Sequence, residues 1–251
     1  LDVSSNNPAD LAGLQETGLK LHREIVTLDD QQCRMREIGT AHLTEIMDEY
    51  DLLPTRNYKF GSSPDSPGLN SHAFSAMVTH GLPDGCWYGC TMACAKAADG
   101  FELATGPYRG HKVTVDGPEY ETVAGCGSNI GVYDPRVVME LNFYCDTYGL
   151  DTISFGTSTA FVMECWEKGV LDSTRTGGLE MTWGNGPAAL ELLHRIGRGE
   201  GFGLVAGLGV RGMKKYFAEH YGADPKLLQD IGCECKGLEY SQYVSKESLA
   251  Q

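Results

Sequence analysis

Apolar residues recur at helical spacing along most of this chain, and strand-like alternation is confined to one short stretch. In residues 8–27, Leu11, Leu14, Leu19 and Leu21 stand among polar neighbours, which predicts an amphipathic helix. Leu43, Ile46, Met47 and Tyr50 predict a second helix over 40–51, stopped by Pro54. Residues 54–71, with three prolines plus Gly and Ser, read as a long loop of the kind that carries function. A short helix is expected over 72–81. Lys112–Val115 alternate weakly within 100–120, which predicts a small hairpin. The clearest helix is 135–148. Asp134 is its N-cap, Pro135 its first residue and Gly149 its C′ position. Further helices are expected over 157–168, closed by Gly169, from Asn185 and Pro187 to Gly197, and over 209–221, ending at Gly222. The pattern predicts a mainly α, multi-helical domain with a minor β hairpin.

Length and composition leave this picture intact. The 251 residues suffice for one large domain or two modest ones, and 41% hydrophobic content supports a core. No apolar run reaches transmembrane length, and the polar start LDVSSNNPAD lacks a signal-peptide pattern. The first residue is not Met, which fits a mature or excised fragment. A net charge of -14 sets aside nucleic-acid and polybasic membrane partners, which need a basic footprint.

The cysteines change the picture. Of the nine, Cys86, Cys90 and Cys94 fall within nine residues. A disulfide framework spreads its cysteines, so this crowding reads as metal or cluster ligation in a reducing cytoplasm. Thiolates at short spacing converge on an iron–sulfur cube with little loop entropy to overcome, and Gly85 and Gly89 give the backbone freedom to wrap it. A structural zinc site is the competing reading. Cys233 and Cys235, with one residue between them, make a poor second zinc knuckle, so spacing favours iron–sulfur.

Two acidic motifs follow. Asp146-Thr-Tyr-Gly149-Leu150-Asp151-Thr152 places a carboxylate at the end of the best helix, where it can accept hydrogen bonds from an aminopyrimidinone edge. Taken alone, an Asp before a C′ glycine is commonplace. Glu119 and Glu121 lie about 200° apart on a helix, so there one of them at most faces a site. Gly201-Phe-Gly203-Leu-Val-Ala206 matches a dinucleotide fingerprint, but the preceding segment reads as helix rather than strand, and an interhelical turn is the better reading.

Taken in order, these segments resemble the aldehyde:ferredoxin oxidoreductase family of tungsten enzymes. The likeness runs through LPTRN at 53–57, CxxxCxxxC at 86–94, EYET at 119–122 and YGLDTIS at 148–154. It continues through AFVMECWEKGVL at 160–171, WGN at 183–185, RGEGFG at 198–203 and KGLE at 236–239. The resemblance implies a tungsten ion on two pyranopterins beside one 4Fe–4S cluster, and allows Mg2+ to bridge the pterin phosphates. It implies Cys86, Cys90 and Cys94 as cluster ligands; the family's usual C-x2-C spacing would fall on Trp87, one residue after Cys86. It places Asp146, Gly149, Leu150, Asp151 and Thr152 on a pterin and Glu121 close to the metal. Glu140 occupies the first position of a family E-x-x-H pair that binds an intersubunit iron, but Phe143 stands at the partner position, so no bridging iron is expected.

The implied organisation is a middle helical domain over 1–225 and the start of a C-terminal domain over 226–251, with the fourth cluster cysteine beyond Gln251. The implied activity oxidises a small aldehyde to a carboxylic acid and passes electrons through the cluster to ferredoxin or an iron–sulfur subunit, in a cytoplasmic homo-oligomer. Two alternatives stand beside it: the tungsten subunit of a benzoyl-CoA reductase, where Cys126 could offer a sulfur beside the metal although a small buried hydrophobe is the favoured reading of it, and a non-catalytic iron–sulfur or zinc-stabilised module.

Overall fold

The computed structural model describes residues 9–28, 30–79 and 92–244. As the patterning predicts, these are mainly helical, with two small antiparallel hairpins. In chain order the helices are α1 (Leu11–Thr27), α2 (Asp30–Ile38), α3 (Leu43–Glu49), α4 (Ser71–Ser75), α5 (Tyr120–Cys126) and α6 (Pro135–Tyr148). They continue with α7 (Thr152–Glu167), α8 (Gly186–Arg198), α9 (Phe202–Ala206), α10 (Gly209–Tyr221) and α11 (Pro225–Ile231). Strands β1 (Ala97–Glu102) and β2 (Lys112–Asp116) pair with Ala98 opposite Val115 and Phe101 opposite Val113, with a bulge between Ala98 and Phe101. Strands β3 (Glu234–Cys235) and β4 (Leu238–Glu239) form the second hairpin. No helix among the described residues is long and apolar enough to cross a membrane.

Helix α7 is the axis of the core. Every residue from Phe155 to Cys165 is buried, the mark of a helix enclosed on all sides. Phe161 stacks on Phe217 of α10 with ring centroids 6.0 Å apart. Helix α5 crosses α7 at two glycines: a Cβ on Gly156 would sit 2.6 Å from the Gly125 carbonyl carbon. Backbone therefore meets backbone, and this closeness sets how the start of α5 stands over the start of α7.

Helix α6 has the predicted limits. The Asp134 side chain accepts from Arg136 N, and Gly149 takes the left-handed C-cap. Other boundaries differ, each for a local reason. Helix α7 begins at Thr152 rather than 157, because Asp151 caps it by accepting from Ser154 N at 2.7 Å. Helix α8 runs through Gly197 to Arg198, and Gly199 is the left-handed cap; Gly197 is needed inside the helix, where a Cβ would lie 2.5 Å from the Tyr148 ring. The helix expected over 72–81 ends at Ser75. Residues 201–206 lie between α8 and α10 with no strand before them, so the dinucleotide fingerprint lacks its setting.

The 54–71 loop is ordered by buried polar contacts. Arg56, Asn57 and Tyr58 all adopt left-handed backbone (φ 49, 58 and 61), costly for residues with a Cβ. Their N–H groups donate to Ser128 O, Asn129 O and Asn129 Oδ1. Asn57 Nδ2 donates to Glu164 Oε2 at 2.7 Å and to Ile231 O at 2.8 Å, and Lys59 pairs with Glu164 at 3.0 Å.

Candidate cofactor site

Three segments meet where α5 begins, α6 ends and α7 begins. Thr40, in the turn after α2, accepts from Tyr120 N at 2.8 Å and donates to the Glu119 carboxylate. One turn on, Thr122 and Thr152 share a hydrogen bond between hydroxyls at 2.8 Å, joining α5 to α7. Asn142 of α6 donates to Asp116 O at 2.6 Å, and Gly117 N donates to Lys96 O at 2.6 Å. These bonds tie the residues just after Cys94 to both acidic motifs.

The rim is acidic and underpartnered. Asp146 is exposed in the last turn of α6, the negative end of the helix macrodipole, where a carboxylate is disfavoured. Neither it nor Asp116 has a side-chain hydrogen bond or ion pair among the described residues. Partial burial, then the charge of Asp116, pushes the Asp146 carboxyl above its usual range. Burial also raises Glu121; the Gln242 N–H, which donates to its Oε2 at 2.7 Å, opposes this, and the charge of Asp151 adds to it. Glu119 is raised by burial too, against its bond from Thr40. Gln242 is itself fully buried, and its carbonyl accepts from Tyr120 Oη at 2.6 Å, so residues 240–243 strap α5 to α7.

The sequence-derived residues fall into place unevenly. Asp146, Gly149, Leu150, Asp151 and Thr152 form one continuous turn, and a Cβ on Gly149 would meet nothing within 4 Å, which leaves its backbone open to a ligand. Asp151 commits one carboxylate oxygen to capping α7. Cys94 is partly exposed, while Cys86 and Cys90 lie outside the described residues. No three His, Cys, Asp or Glu side chains converge as a metal site among the described residues. Cys126 is fully buried, and burial pushes its thiol up to about 12, so it stays protonated and packs as a small hydrophobe. Asp116, Lys96 and Gln242 were not singled out from the sequence. For Asp116 a signal existed, since it directly precedes the Gly117–Thr122 stretch containing EYET.

A second polar cluster lies apart from the rim. Glu140, 4% exposed, accepts from Ala104 N at 3.1 Å, from Thr105 N at 2.7 Å and from Thr105 Oγ1 at 2.5 Å. With its hydroxyl proton given to Glu140, Thr105 Oγ1 accepts from His194 Nε2 at 2.8 Å, which leaves Nδ1 to accept from Tyr148 Oη at 2.9 Å. Burial lowers the pKa of His194, in keeping with that neutral tautomer.

Comparison with known proteins decides the family. Residues 16–251 match the family model described as aldehyde ferredoxin oxidoreductase, domains 2 and 3. The chain belongs to the aldehyde ferredoxin oxidoreductase family. It is 30% identical over 216 residues to the tungsten-containing aldehyde ferredoxin oxidoreductase of Pyrococcus horikoshii, covering 84% of this chain and 30% of that protein. It is 34% identical over 157 residues to the aliphatic sulfonate oxidoreductase WOR-like subunit of Pyrococcus furiosus, covering 62% of this chain and 22% of that one. The fold is similar to a chain of the BamBC active-site complex of benzoyl coenzyme A reductase in complex with 1,5-dienoyl-CoA. That match has a TM-score of 0.64 at 18% identity, covering 92% of this chain and 33% of that chain. This aldehyde ferredoxin oxidoreductase family chain thus spans about 30% of the length of the first of these relatives.

The raised Glu121 has a consequence for pH. A carboxyl with a raised folded pKa favours the protonated form in the fold. Its stabilising contribution is present below the unfolded value, about 4.3 for Glu, and is lost as pH rises through the raised folded value. At pH 7 Glu121→Gln should therefore unfold at the same or higher urea concentration than the unsubstituted chain. The two midpoints should converge as pH falls through the raised folded value; a gap that widened on acidification would contradict this.

Proposed function

We propose that the intact protein containing this chain is a tungsten-pterin oxidoreductase that oxidises small aldehydes to carboxylic acids. It would pass electrons through a 4Fe–4S cluster to ferredoxin or an iron–sulfur subunit. The observation that carries this reading is the underpartnered Asp146 carboxylate beside the open turn at Gly149. An exposed carboxylate with no protein donor among the described residues is free to accept from a ring edge that brings its own N–H groups. When bound, the tungstopterin and cluster supply the two-electron chemistry and its division into single-electron steps. Asp146 accepts hydrogen bonds from the pterin, and the Gly149–Thr152 turn lets the ring approach the backbone. Glu121, biased toward its protonated form, orients water or substrate and carries a proton at its carboxyl oxygen. Cys86, Cys90 and Cys94 hold the cluster. The family likeness supports a cytoplasmic homo-oligomer, Mg2+ on the pterin phosphates, and a C-terminal domain beginning near residue 226. The buried Cys126 reads as a small hydrophobe, and the fold likeness to the BamBC chain supports a benzoyl-CoA reductase subunit as the second reading.

Metal and pterin analysis of the intact, anaerobically purified protein tests this. Tungsten, pterin and cluster iron are expected together; zinc or iron without pterin would refute the reading. Asp146→Ala should lower pterin and tungsten content while leaving cluster iron in place, and unchanged occupancy would remove Asp146 from the pterin contacts.

A further inference from the structure

Tyr148 stands directly before Gly149, and its side chain is fastened on three sides. Its ring lies against Gly197 of α8, where a Cβ would sit 2.5 Å from ring Cδ2. The ring stacks on Tyr144 with centroids 5.7 Å apart and meets His194 edge-on at 6.0 Å. Its hydroxyl donates to His194 Nδ1 at 2.9 Å. His194 is 2% exposed and cannot easily turn away. Its Nε2 donates to Thr105 Oγ1, whose own proton goes to Glu140, and its ring packs edge-on against Tyr144 at 4.5 Å. The acceptor that Tyr148 uses is therefore fixed in tautomer and in place.

This fastening sets which way the last turn of α6 faces. Residues two apart on a helix point about 200° from one another. Docking Tyr148 on α8 thus turns Asp146 away from α8, where its carboxylate is exposed. The far side of the Gly149 turn is fastened separately, by Asp151 on Ser154 N and by Thr152 on Thr122. Gly149 lies between these two anchors, with nothing within 4 Å of its Cβ position.

We infer that Tyr148 and His194 are positioning residues for the pterin: their hydrogen bond holds the end of α6 in the rotation that presents Asp146 and the Gly149 turn. The inference rests on the reading of residues 146–152 as pterin contacts. Both residues act through Asp146 and the turn rather than on the ring itself. Helix ends fray, because their last carbonyls lack partners within the helix, so a side-chain bond to a neighbouring helix has most influence there.

The test follows the rate at which pterin leaves the intact, anaerobically purified protein, read from the fluorescence of the released ring. Cluster iron and the urea midpoint are measured alongside. Tyr148→Phe removes only the hydroxyl and should release pterin roughly five-fold faster, the size expected for one neutral hydrogen bond, with iron retained. His194→Leu should do the same. His194→Asn, whose Oδ1 can accept from Tyr148 near the place of Nδ1, should restore slow release. The double variant of Tyr148→Phe with His194→Leu should release no faster than either single one, since one bond is lost in all three. Leu228→Ala, 1% exposed in α11 and outside the rim, should lower the urea midpoint without quickening release. Parental release from Tyr148→Phe would overturn the inference, as would equal quickening by Leu228→Ala or no rescue by His194→Asn. A parent protein free of pterin would instead overturn the pterin reading on which it rests.

Discussion

Gly156→Ala is expected to destabilise the protein by about 2 kcal/mol, although alanine is the better helix former. Helix propensity alone favours alanine by ~1 kcal/mol. Overpacking opposes it by roughly 1–3 kcal/mol, and this site is at the upper end. The added Cβ would lie 2.6 Å from the Gly125 carbonyl carbon and 2.7 Å from its oxygen, both backbone atoms that move only if α5 moves. The shift would carry Glu121 and Thr122 away from Thr152, so cofactor occupancy should fall with stability. Gly18→Ala is the control. Nothing lies within 4 Å of its Cβ position on α1, and it should be neutral or slightly stabilising. Urea denaturation of the three proteins decides the matter; equal midpoints for Gly156→Ala and the parent would mean that the helices separate without penalty.

Glu164→Ala should cost about 1–3 kcal/mol, the range for depriving buried polar groups of a hydrogen-bond partner. Glu164 is nearly enclosed and receives both Asn57 Nδ2 and Lys59 Nζ. Its loss leaves Asn57 Nδ2 with Ile231 O alone and Lys59 with Glu167 alone, and loosens the left-handed run from Arg56 to Tyr58. Glu164→Gln keeps an acceptor for Asn57 and should fall between the two. Thermal unfolding of the three would show this order, and a Glu164→Ala protein as stable as its parent would leave the loop's conformation without its anchor.

What was legible in the sequence was what local chemistry dictates. Asp134, Pro135 and Gly149 punctuate α6 so plainly that both ends could be read directly. Helix α5 could not be read this way. It has seven residues, too few to show a period, and all but Glu121 are buried, so no polar face marks it. Asp151 was read as part of a ligand motif, and its capping of α7 moved that helix start to Thr152. The site shows the same division. Asp146, Gly149 and Glu121 stand in recognisable strings, whereas Lys96, Asp116 and Gln242 matter through partners distant in the chain. The bond from Gln242 to Glu121, for example, spans 121 residues.

The capped start of α7 makes the rim directional. A helix beginning ordinarily offers bare amides to phosphate, but here the Asp151 carboxylate already occupies that place, with Asp116 and Asp146 nearby. On the proposed reading, an elongated molecule with a donor-rich ring at one end and phosphate at the other would therefore be repelled in one orientation and welcomed in the opposite one. Such a seat would sort head from tail before any metal is involved, and the tail's negative charge would have to be met by groups beyond this corner of the fold.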